Sequence, residues 1–175
     1  MSLHWVKHEK IKLAIMPRPR GGDWLEDDVN LLKRAGVDVL VSLLTLTEIA
    51  ELNLMEEGAV CAVHGLQFRN YPIEDRSVPA NLSDFLEFVG RLDADLRAGL
   101  PMAIHCRAGI GRSSLVAGCL LIRQGLPLED SWRAIEEARG CPVPDTPEQR
   151  EWLRAVTIDL WRNSGREKGA GVADE

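Results

Sequence analysis

Residues 100–125 read LPMAIHCRAGIGRSSLVAGCLLIRQG, and this stretch decides the predicted fold. It opens with a short apolar run, passes through a loop that contains two glycines, and ends in an almost wholly apolar segment of helical length. Short apolar runs bounded by turn residues are typical of buried strands, and longer ones of central helices. We therefore predict a buried strand over 100–106, a tight loop, and a helix over 113–125 that ends at Gly125.

The rest of the chain alternates the same two patterns. Apolar and β-branched runs predict further strands over 11–16, 37–44 and 66–73. Capping residues and apolar residues at helical spacing predict helices over 24–36, from Thr45 to about Met55, after Asn81, from Pro127 to about Ala138, and from Pro147 to about Trp161. This order predicts an α/β fold, a single domain with a central, largely parallel, twisted sheet and helices on both faces. In such sheets, ligands bind beyond the carboxyl ends of the strands.

Length, charge and hydropathy restrict the function. A chain of 175 residues suits one domain, which we place at 1–163, and the small polar residues of 164–175 are typical of a disordered tail. A net charge of −6 argues against nucleic acid as a partner. No secretion signal and no apolar run of about 18 residues is visible, so we expect a cytoplasmic protein without a membrane span.

The four cysteines do not form a metal or disulfide pattern. No two have CxxC spacing, and no cluster of metal-ligating residues is visible, so we expect neither a metal nor another cofactor. Cys119 lies in an apolar helix and is interpreted as a core residue. A redox role for Cys61 or Cys141 stays open.

The loop after the strand has the composition of an anion site. Gly109 and Gly111 allow positive φ values, which would let successive backbone N–H groups point inward at a helix N-terminus. Arg112 adds a planar fork that matches two oxygens of a phosphate. The loop therefore predicts a cradle for a tetrahedral oxyanion, with the sulfur of Cys106 beneath it.

The same positive environment acts on the thiol. A thiol at a helix N-terminus beside an arginine ionises more readily than a free one, so we expect Cys106 to be a nucleophilic thiolate. Ser113 could hydrogen-bond to the sulfur and ease its departure. We expect His105 to order the loop by hydrogen bonds rather than to transfer a proton to substrate.

The stretch HCRAGIGRSS (105–114) resembles the His-Cys-x5-Arg-Ser/Thr signature of the cysteine-dependent protein tyrosine phosphatases. YPIEDRSVP (71–79) is similar to the general-acid loop of the small dual-specificity members. The order of elements also matches, over roughly residues 10 to 160, and is most similar to compact atypical members such as the cyclin-dependent-kinase-inhibitor-3-like (kinase-associated) phosphatases.

The resemblance implies a role for each matching residue. Cys106 would attack phosphorus and form a phosphocysteine, and Asp75 would act first as acid and then as base, with Glu74 as its rival. The phosphate would be bound by the loop residues Arg107, Ala108, Gly109, Ile110, Gly111 and Arg112. Gln149 stands where the family often orients water, but Thr146 and Gln149 also have the spacing of a plain capping box, as Thr45 and Glu48 do.

The implied substrate is a phosphorylated protein, with phosphotyrosine preferred. Of the variable loop positions only Arg107 is basic, and Ile110 offers an apolar wall that suits a phenyl ring. Strict tyrosine and dual specificity stay open, and the alternative in the same superfamily is a phosphoinositide or other small-molecule phosphatase. A rhodanese-type sulfur transferase is disfavoured because its loop is usually shorter and lacks a partner acid. An inactive phospho-binding module is disfavoured because such modules usually lose the cysteine.

Overall fold

The computed structural model describes residues 2–162, so the disordered tail predicted over 164–175 lies outside the described residues. The described strands are β1 (His4–Val6), β2 (Leu13–Pro17), β3 (Val39–Ser42), β4 (Gln67–Asn70) and β5 (Met102–Cys106). The described α-helices are α1 (Leu25–Arg34), α2 (Leu46–Glu51), α3 (Glu57–Val63), α4 (Leu82–Arg97), α5 (Arg112–Arg123), α6 (Leu128–Arg139) and α7 (Pro147–Arg162).

The five strands form one sheet in the order β1-β2-β5-β3-β4. Strand β5 lies in the middle and pairs in parallel with β2 and β3, while β4 pairs in parallel with β3. The short β1 adds an antiparallel edge to β2. The carboxyl ends of the four parallel strands therefore meet at one edge of the sheet. The loop between Cys106 and Arg112, which we call the phosphatase-like loop, begins at this edge.

Each face of the sheet is covered by its own layer of helices. One apolar core combines alternate residues of the strands with α4, α5, α6 and α7. The other combines the remaining strand residues with α1, α2 and α3. Every residue of α5 is buried, as its apolar sequence predicts. The α/β fold with a largely parallel sheet and helices on both faces is confirmed.

Two parts of the predicted order were wrong. The helix predicted from Thr45 to about Met55 ends at Glu51, and a separate helix, α3, follows at Glu57–Val63. The turn between them has Asn53 at a φ of 53°, a conformation that no helix continues through. The edge strand β1 was also missed, because three residues carry too little pattern.

A helix that spans a bilayer must be long and continuously apolar. Among residues 2–162, no helix is long and apolar enough to cross a membrane.

Candidate active site

Strand β5 places its last two side chains on opposite faces of the sheet. Met102, Ile104 and Cys106 belong to the core beneath α4–α7, whereas Ala103 belongs to the core beneath α1–α3. This alternation follows from the two-residue period of a strand. Cys106 thus lies beneath the loop that leads into α5, and His105 points into the opposite layer.

Both loop glycines are required, for different reasons. Gly109 has a φ of 70°, as predicted, and a Cβ there would also collide with the backbone of Met16 and Pro17. The positive φ predicted for Gly111 was wrong: its φ is −80°. Gly111 is needed for space instead, because a Cβ would collide with the Asp145 carboxylate and lie 2.9 Å from Gln149 Oε1.

The sulfur of Cys106 lies inside the loop. The backbone N–H of Gly109 donates to Sγ at 3.3 Å, and Ser113 Oγ lies 3.6 Å from the same sulfur. A sulfur that faces an amide N–H and a hydroxyl has partners that stabilise a thiolate. The contact predicted between Ser113 and the sulfur is therefore present.

Arg112, the first residue of α5, is 1% exposed and joins three elements. Its Nη1 and Nη2 donate to the two carboxylate oxygens of Glu48 at 2.7 and 2.9 Å. Nη1 also donates to the Ile73 carbonyl at 2.8 Å, and Nη2 donates to Asp75 Oδ1 at 2.8 Å. Burial lowers the pKa of Arg112, but the hydrogen bonds to Glu48 and the charges of Cys106 and Asp75 outweigh it and leave the pKa raised.

Glu48 is a site residue that sequence reasoning missed, because it was interpreted only as part of a capping box. The box is present: Thr45 Oγ1 accepts from the Glu48 N–H, and the Glu48 carboxylate accepts from the Thr45 N–H. The same carboxylate is the main partner of Arg112. Burial raises the pKa of Glu48, but the hydrogen bonds from Arg112 and Thr45 outweigh burial and lower it to about 2.

The predicted acid loop follows β4 and is anchored at both ends. Its start is held by Ile73, whose N–H donates to the Leu43 carbonyl. Its end is held by Ser77, whose carbonyl accepts from Gln149 Nε2 at 2.9 Å. Between them, the Asp75 side chain is 55% exposed and lies on Arg112. No such contact joins Arg112 to Glu74 among the described residues.

The second predicted capping box is only half formed at Gln149, which is fully buried. Its N–H is capped by Thr146 Oγ1 at 3.2 Å, but its side chain does not return to Thr146. The amide nitrogen binds the acid loop instead, and Oε1 has no hydrogen-bond partner within the described part of the chain. The open acceptor faces Gly111, at the end of the phosphatase-like loop.

Arg107 and Ala108 lie at the exposed rim of the loop, and Ile110 is half-buried. The Arg107 guanidinium donates to Glu48 at 3.4 Å and to Glu51 at 3.0 Å, so its charge is directed to α2. The Ala108 carbonyl accepts from Arg139. A cleft of about 430 Å³ opens beside this rim and is lined by Thr45, Thr47, Glu48, Glu74, Asp75 and Arg107.

His105 has a partner that the sequence did not indicate. Its side chain is fully buried, and Nε2 lies 3.0 Å from Oε1 of Glu57, which is 1% exposed. Glu57 belongs to α3, the helix that was not predicted. The expectation that His105 orders the loop by side-chain hydrogen bonds was wrong: its ring faces the helix layer behind the loop, and within residues 2–162 neither ring nitrogen hydrogen-bonds to the loop.

The other cysteines differ from Cys106 in their surroundings. All four cysteines are free. Burial, together with the charge of Glu57, raises the pKa of Cys61 to about 12, and burial raises the pKa of Cys119 further. In residues 2–162, no group of three or more His, Cys, Asp or Glu side chains is placed to hold a metal ion.

Comparison with known proteins agrees with this geometry. The sequence profile of the family described as "Polymorphic toxin system, DSP-PTPase phosphatase" matches residues 14–126. Cyclin-dependent kinase inhibitor 3 of Homo sapiens is 27% identical over 134 residues, which cover 74% of this chain and 61% of that protein. The rat protein of the same name is 24% identical over 131 residues, with the same coverage. The matched region thus spans about three fifths of these relatives.

The fold has relatives among solved structures. Kinase associated phosphatase, crystallised with its catalytic-site cysteine replaced by serine, superimposes with a TM-score of 0.82 at 21% identity, over 91% of this chain and 95% of that one. The fold predicted from the resemblance is confirmed. The matched residues 14–126 run from β2 to α5 and include the acid loop and the phosphatase-like loop. The chain belongs to the DSP-PTPase family, the compact atypical dual-specificity type of cysteine-dependent protein tyrosine phosphatases.

Proposed function

We propose that this chain hydrolyses phosphate monoesters on proteins through a phosphocysteine intermediate, as a protein tyrosine or dual-specificity phosphatase with its catalytic domain at 1–163. The observation that carries the proposal is the convergence on Arg112. The Arg112 guanidinium lies 2.8 Å from the proposed acid, Asp75. Arg112 is also the first residue of α5, and the loop before this helix contains the Gly109 N–H that donates to the sulfur of Cys106.

The first step forms the intermediate. The Cys106 thiolate attacks phosphorus in line with the ester oxygen, and the P–O bond breaks. The bound phosphate replaces Asp75 on Arg112, so that Asp75 is free to carry the proton that it donates to the leaving oxygen. Loop N–H groups and Arg112 stabilise the charge on the three remaining oxygens. Proton donation of this kind contributes about 10²- to 10⁴-fold.

The second step releases phosphate. Water attacks phosphorus and the P–S bond breaks, so that the electron pair returns to the sulfur as a thiolate, next to Ser113. Asp75, now a carboxylate, accepts the proton of the water. The open Gln149 Oε1 beside Gly111 supports the water-orienting role, because a buried acceptor without a protein donor is suited to bind water.

The proposed substrate is a phosphoprotein with phosphotyrosine preferred. Half-buried Ile110 offers an apolar contact for a phenyl ring, and the charge of Arg107, the basic variable position, is directed to Glu48 and Glu51. At this position, a ligand with several phosphates would meet a cation that is already paired with two carboxylates. The name of the human relative, a cyclin-dependent kinase inhibitor, concerns that protein alone.

A phosphoinositide is the second candidate. PTPMT1, solved in complex with PI(5)P, has the same fold, with a TM-score of 0.73 at 18% identity. A sulfur transferase is disfavoured because its reaction needs no partner acid, whereas in this chain Asp75 contacts Arg112. A purely phospho-binding role is disfavoured because Cys106 is retained.

The test compares kcat/KM on matched phosphotyrosine and phosphothreonine peptides and on a soluble phosphatidylinositol trisphosphate, with Cys106→Ser as the blank. We expect turnover of the phosphotyrosine peptide that vanishes in the variant. A lipid rate about ten times that of both peptides would move the assignment to the second candidate. Four free cysteines suit a reducing compartment, and we therefore propose a cytoplasmic location.

A further inference from the structure

The turn that carries the proposed acid is strained at one residue. The Ser77 N–H donates to the Glu74 carbonyl at 3.1 Å and closes a four-residue turn, in which Arg76 has a φ of 57°. A turn with a positive φ at its third residue favours glycine there, because a side chain at that position crowds the backbone. The chain therefore keeps an arginine where a glycine would fit without strain.

Asn53, in the turn between α2 and α3, provides a contrast. Among the described residues other than glycine, it is the second one with a positive φ, at 53°. Asparagine tolerates this conformation, because its short polar side chain can hydrogen-bond to the local backbone. Asn53 thus needs no further explanation, whereas Arg76 does. Strained backbone of this kind clusters at sites that bind ligands or react.

The Arg76 side chain has no partner within the fold. It is exposed, and no hydrogen bond or ion pair joins its guanidinium to another residue of the described part of the chain. Two other arginines of the site are committed: Arg107 pairs with Glu48 and Glu51, and Arg112 also pairs with Glu48. Since no contact in the fold explains Arg76, its guanidinium is available to a ligand.

The position of Arg76 indicates which part of a ligand it meets. It directly follows Asp75, which in the proposed reaction reaches the ester oxygen of the phosphorylated residue. A long side chain at the next position is within reach of the substrate residues that flank the phosphorylated one. The nearby cleft is lined by three carboxylates, those of Glu48, Glu74 and Asp75. A substrate carboxylate is repelled there unless a cation pairs with it, and a guanidinium matches a carboxylate with two parallel hydrogen bonds.

We propose that Arg76 is a specificity-determining residue, which selects protein substrates that carry an acidic residue next to the phosphorylated one. Its guanidinium pairs with that carboxylate while the phosphate occupies the cradle. The inference rests on the proposed function, because it requires a phosphoprotein in the site and Asp75 at the ester oxygen. It narrows the substrate class from phosphoproteins in general to those with an acidic flanking residue.

The experiment measures kcat and KM on three phosphotyrosine peptides of equal length, with glutamate, glutamine or lysine on both sides of the phosphotyrosine. The unmodified protein should prefer the glutamate peptide. In Arg76→Gln, we expect the kcat/KM of the glutamate peptide relative to the glutamine peptide to fall by about two- to fivefold, chiefly through KM, as loss of an exposed ion pair does. Arg76→Glu should reverse the preference towards the lysine peptide.

Two control variants separate this effect from strain and from the overall charge. Asn53→Gly relieves a positive φ without a change of charge, and Arg34→Gln removes the same charge from an exposed residue at the end of α1. Both should keep the glutamate-to-glutamine ratio of the unmodified protein. Arg76→Gly should lower the ratio as Arg76→Gln does, yet without a lower melting temperature, because glycine adopts a positive φ freely.

An unmodified protein without a preference for the glutamate peptide, an unchanged ratio in Arg76→Gln, or an equal fall in Arg34→Gln would overturn the proposal. So would a soluble phosphatidylinositol trisphosphate that loses more kcat/KM in Arg76→Gln than the glutamate peptide does, because the cation would then serve a second phosphate. If the Arg76 variants fail to fold, the dissociation constants of the three peptides from Cys106→Ser decide, and equal values would contradict us. An unmodified protein that hydrolyses none of the peptides would instead refute the proposed function, and this inference with it.

Discussion

The Nη2 atom of Arg112 lies 2.8 Å from Oδ1 of Asp75, although 37 residues separate them in the chain. This contact joins the acid loop after β4 to the first turn of α5. The same guanidinium holds Glu48 through two further hydrogen bonds. The anion cradle and the proposed acid are therefore positioned by one side chain, and changes at this side chain should disturb both.

Arg112→Lys should lose nearly as much activity as Arg112→Ala. Lysine keeps the charge but cannot reach Glu48, Asp75 and a phosphate with one planar group. We expect kcat/KM to fall by about 100-fold or more in both variants, since an electrostatic contact to the transition state is lost. Steady-state kinetics on a phosphotyrosine peptide give the answer, and a lysine variant with most of its activity would show that charge alone suffices.

Asp75→Asn should slow substrates with poor leaving groups by about 100-fold or more, because the leaving oxygen then departs without a proton. The loss should shrink on p-nitrophenyl phosphate, whose leaving group needs less protonation. Glu74→Gln is the matched control, since Glu74 is the adjacent carboxylate and does not share the contact to Arg112. If Glu74→Gln shows the larger loss, the acid has been assigned to the wrong residue.

Glu48→Gln should destabilise the protein in a pH-dependent manner. The pKa of Glu48 falls from its ordinary value of 4.5 to about 2 in the folded state. The stabilising effect is therefore fully present above pH 4.5 and is lost as the pH falls towards 2. Urea unfolding should give a difference of about 1–3 kcal/mol at neutral pH, because a buried charged group loses its partner.

The stability difference should narrow steadily below pH 4.5. Glu51→Gln is the control for this measurement, since Glu51 also lies on α2 but is 59% exposed. It should change the unfolding free energy little at any pH. A Glu48→Gln difference that is as large at pH 3 as at pH 7 would show that its charge on Arg112 is not what stabilises the fold.

Gly109→Ala should abolish activity and destabilise the fold more than Gly99→Ala does. Both glycines have positive φ values, 70° and 84°, but only at Gly109 would a Cβ also meet backbone atoms, those of Met16 and Pro17. Conformational strain alone costs about 1–2 kcal/mol. Thermal unfolding and kinetics of the two variants separate this strain from the collision, and equal losses would mean that the loop is not packed against β2 as described.

The parts of the site that lie together in sequence were predictable. Cys106, Gly109, Arg112 and Ser113 are within one strand-loop-helix unit, and Asp75 belongs to a second short motif. A thiol, an arginine and a carboxylate are residue types that by themselves indicate a nucleophile, an anion-binding group and an acid. The resemblance to a known family connected the two motifs, and the structure places them in contact.

The missed residues act across the fold. Glu48 was assigned to its capping box, and no local pattern shows that its carboxylate also faces a residue 64 positions later. Glu57 was missed together with α3, because a seven-residue helix after a turn has little periodicity. Gln149 was predicted to complete a capping box, but a carbonyl of the acid loop competes for its amide. For Glu48 and Glu57, the available signal was a charged residue on the buried face of a short helix.

The central claim is that Cys106 carries the phosphoryl group between the two chemical steps. The most direct test is rapid acid quenching of the enzyme during turnover of p-nitrophenyl phosphate, followed by mass spectrometry of the peptide that contains residues 100–125. We predict a phosphoryl adduct on Cys106 that forms with the burst of p-nitrophenol, decays when substrate is exhausted, and is absent from Cys106→Ser, which should still bind inorganic phosphate. Steady turnover without the adduct, or turnover that survives in Cys106→Ser, would contradict the account.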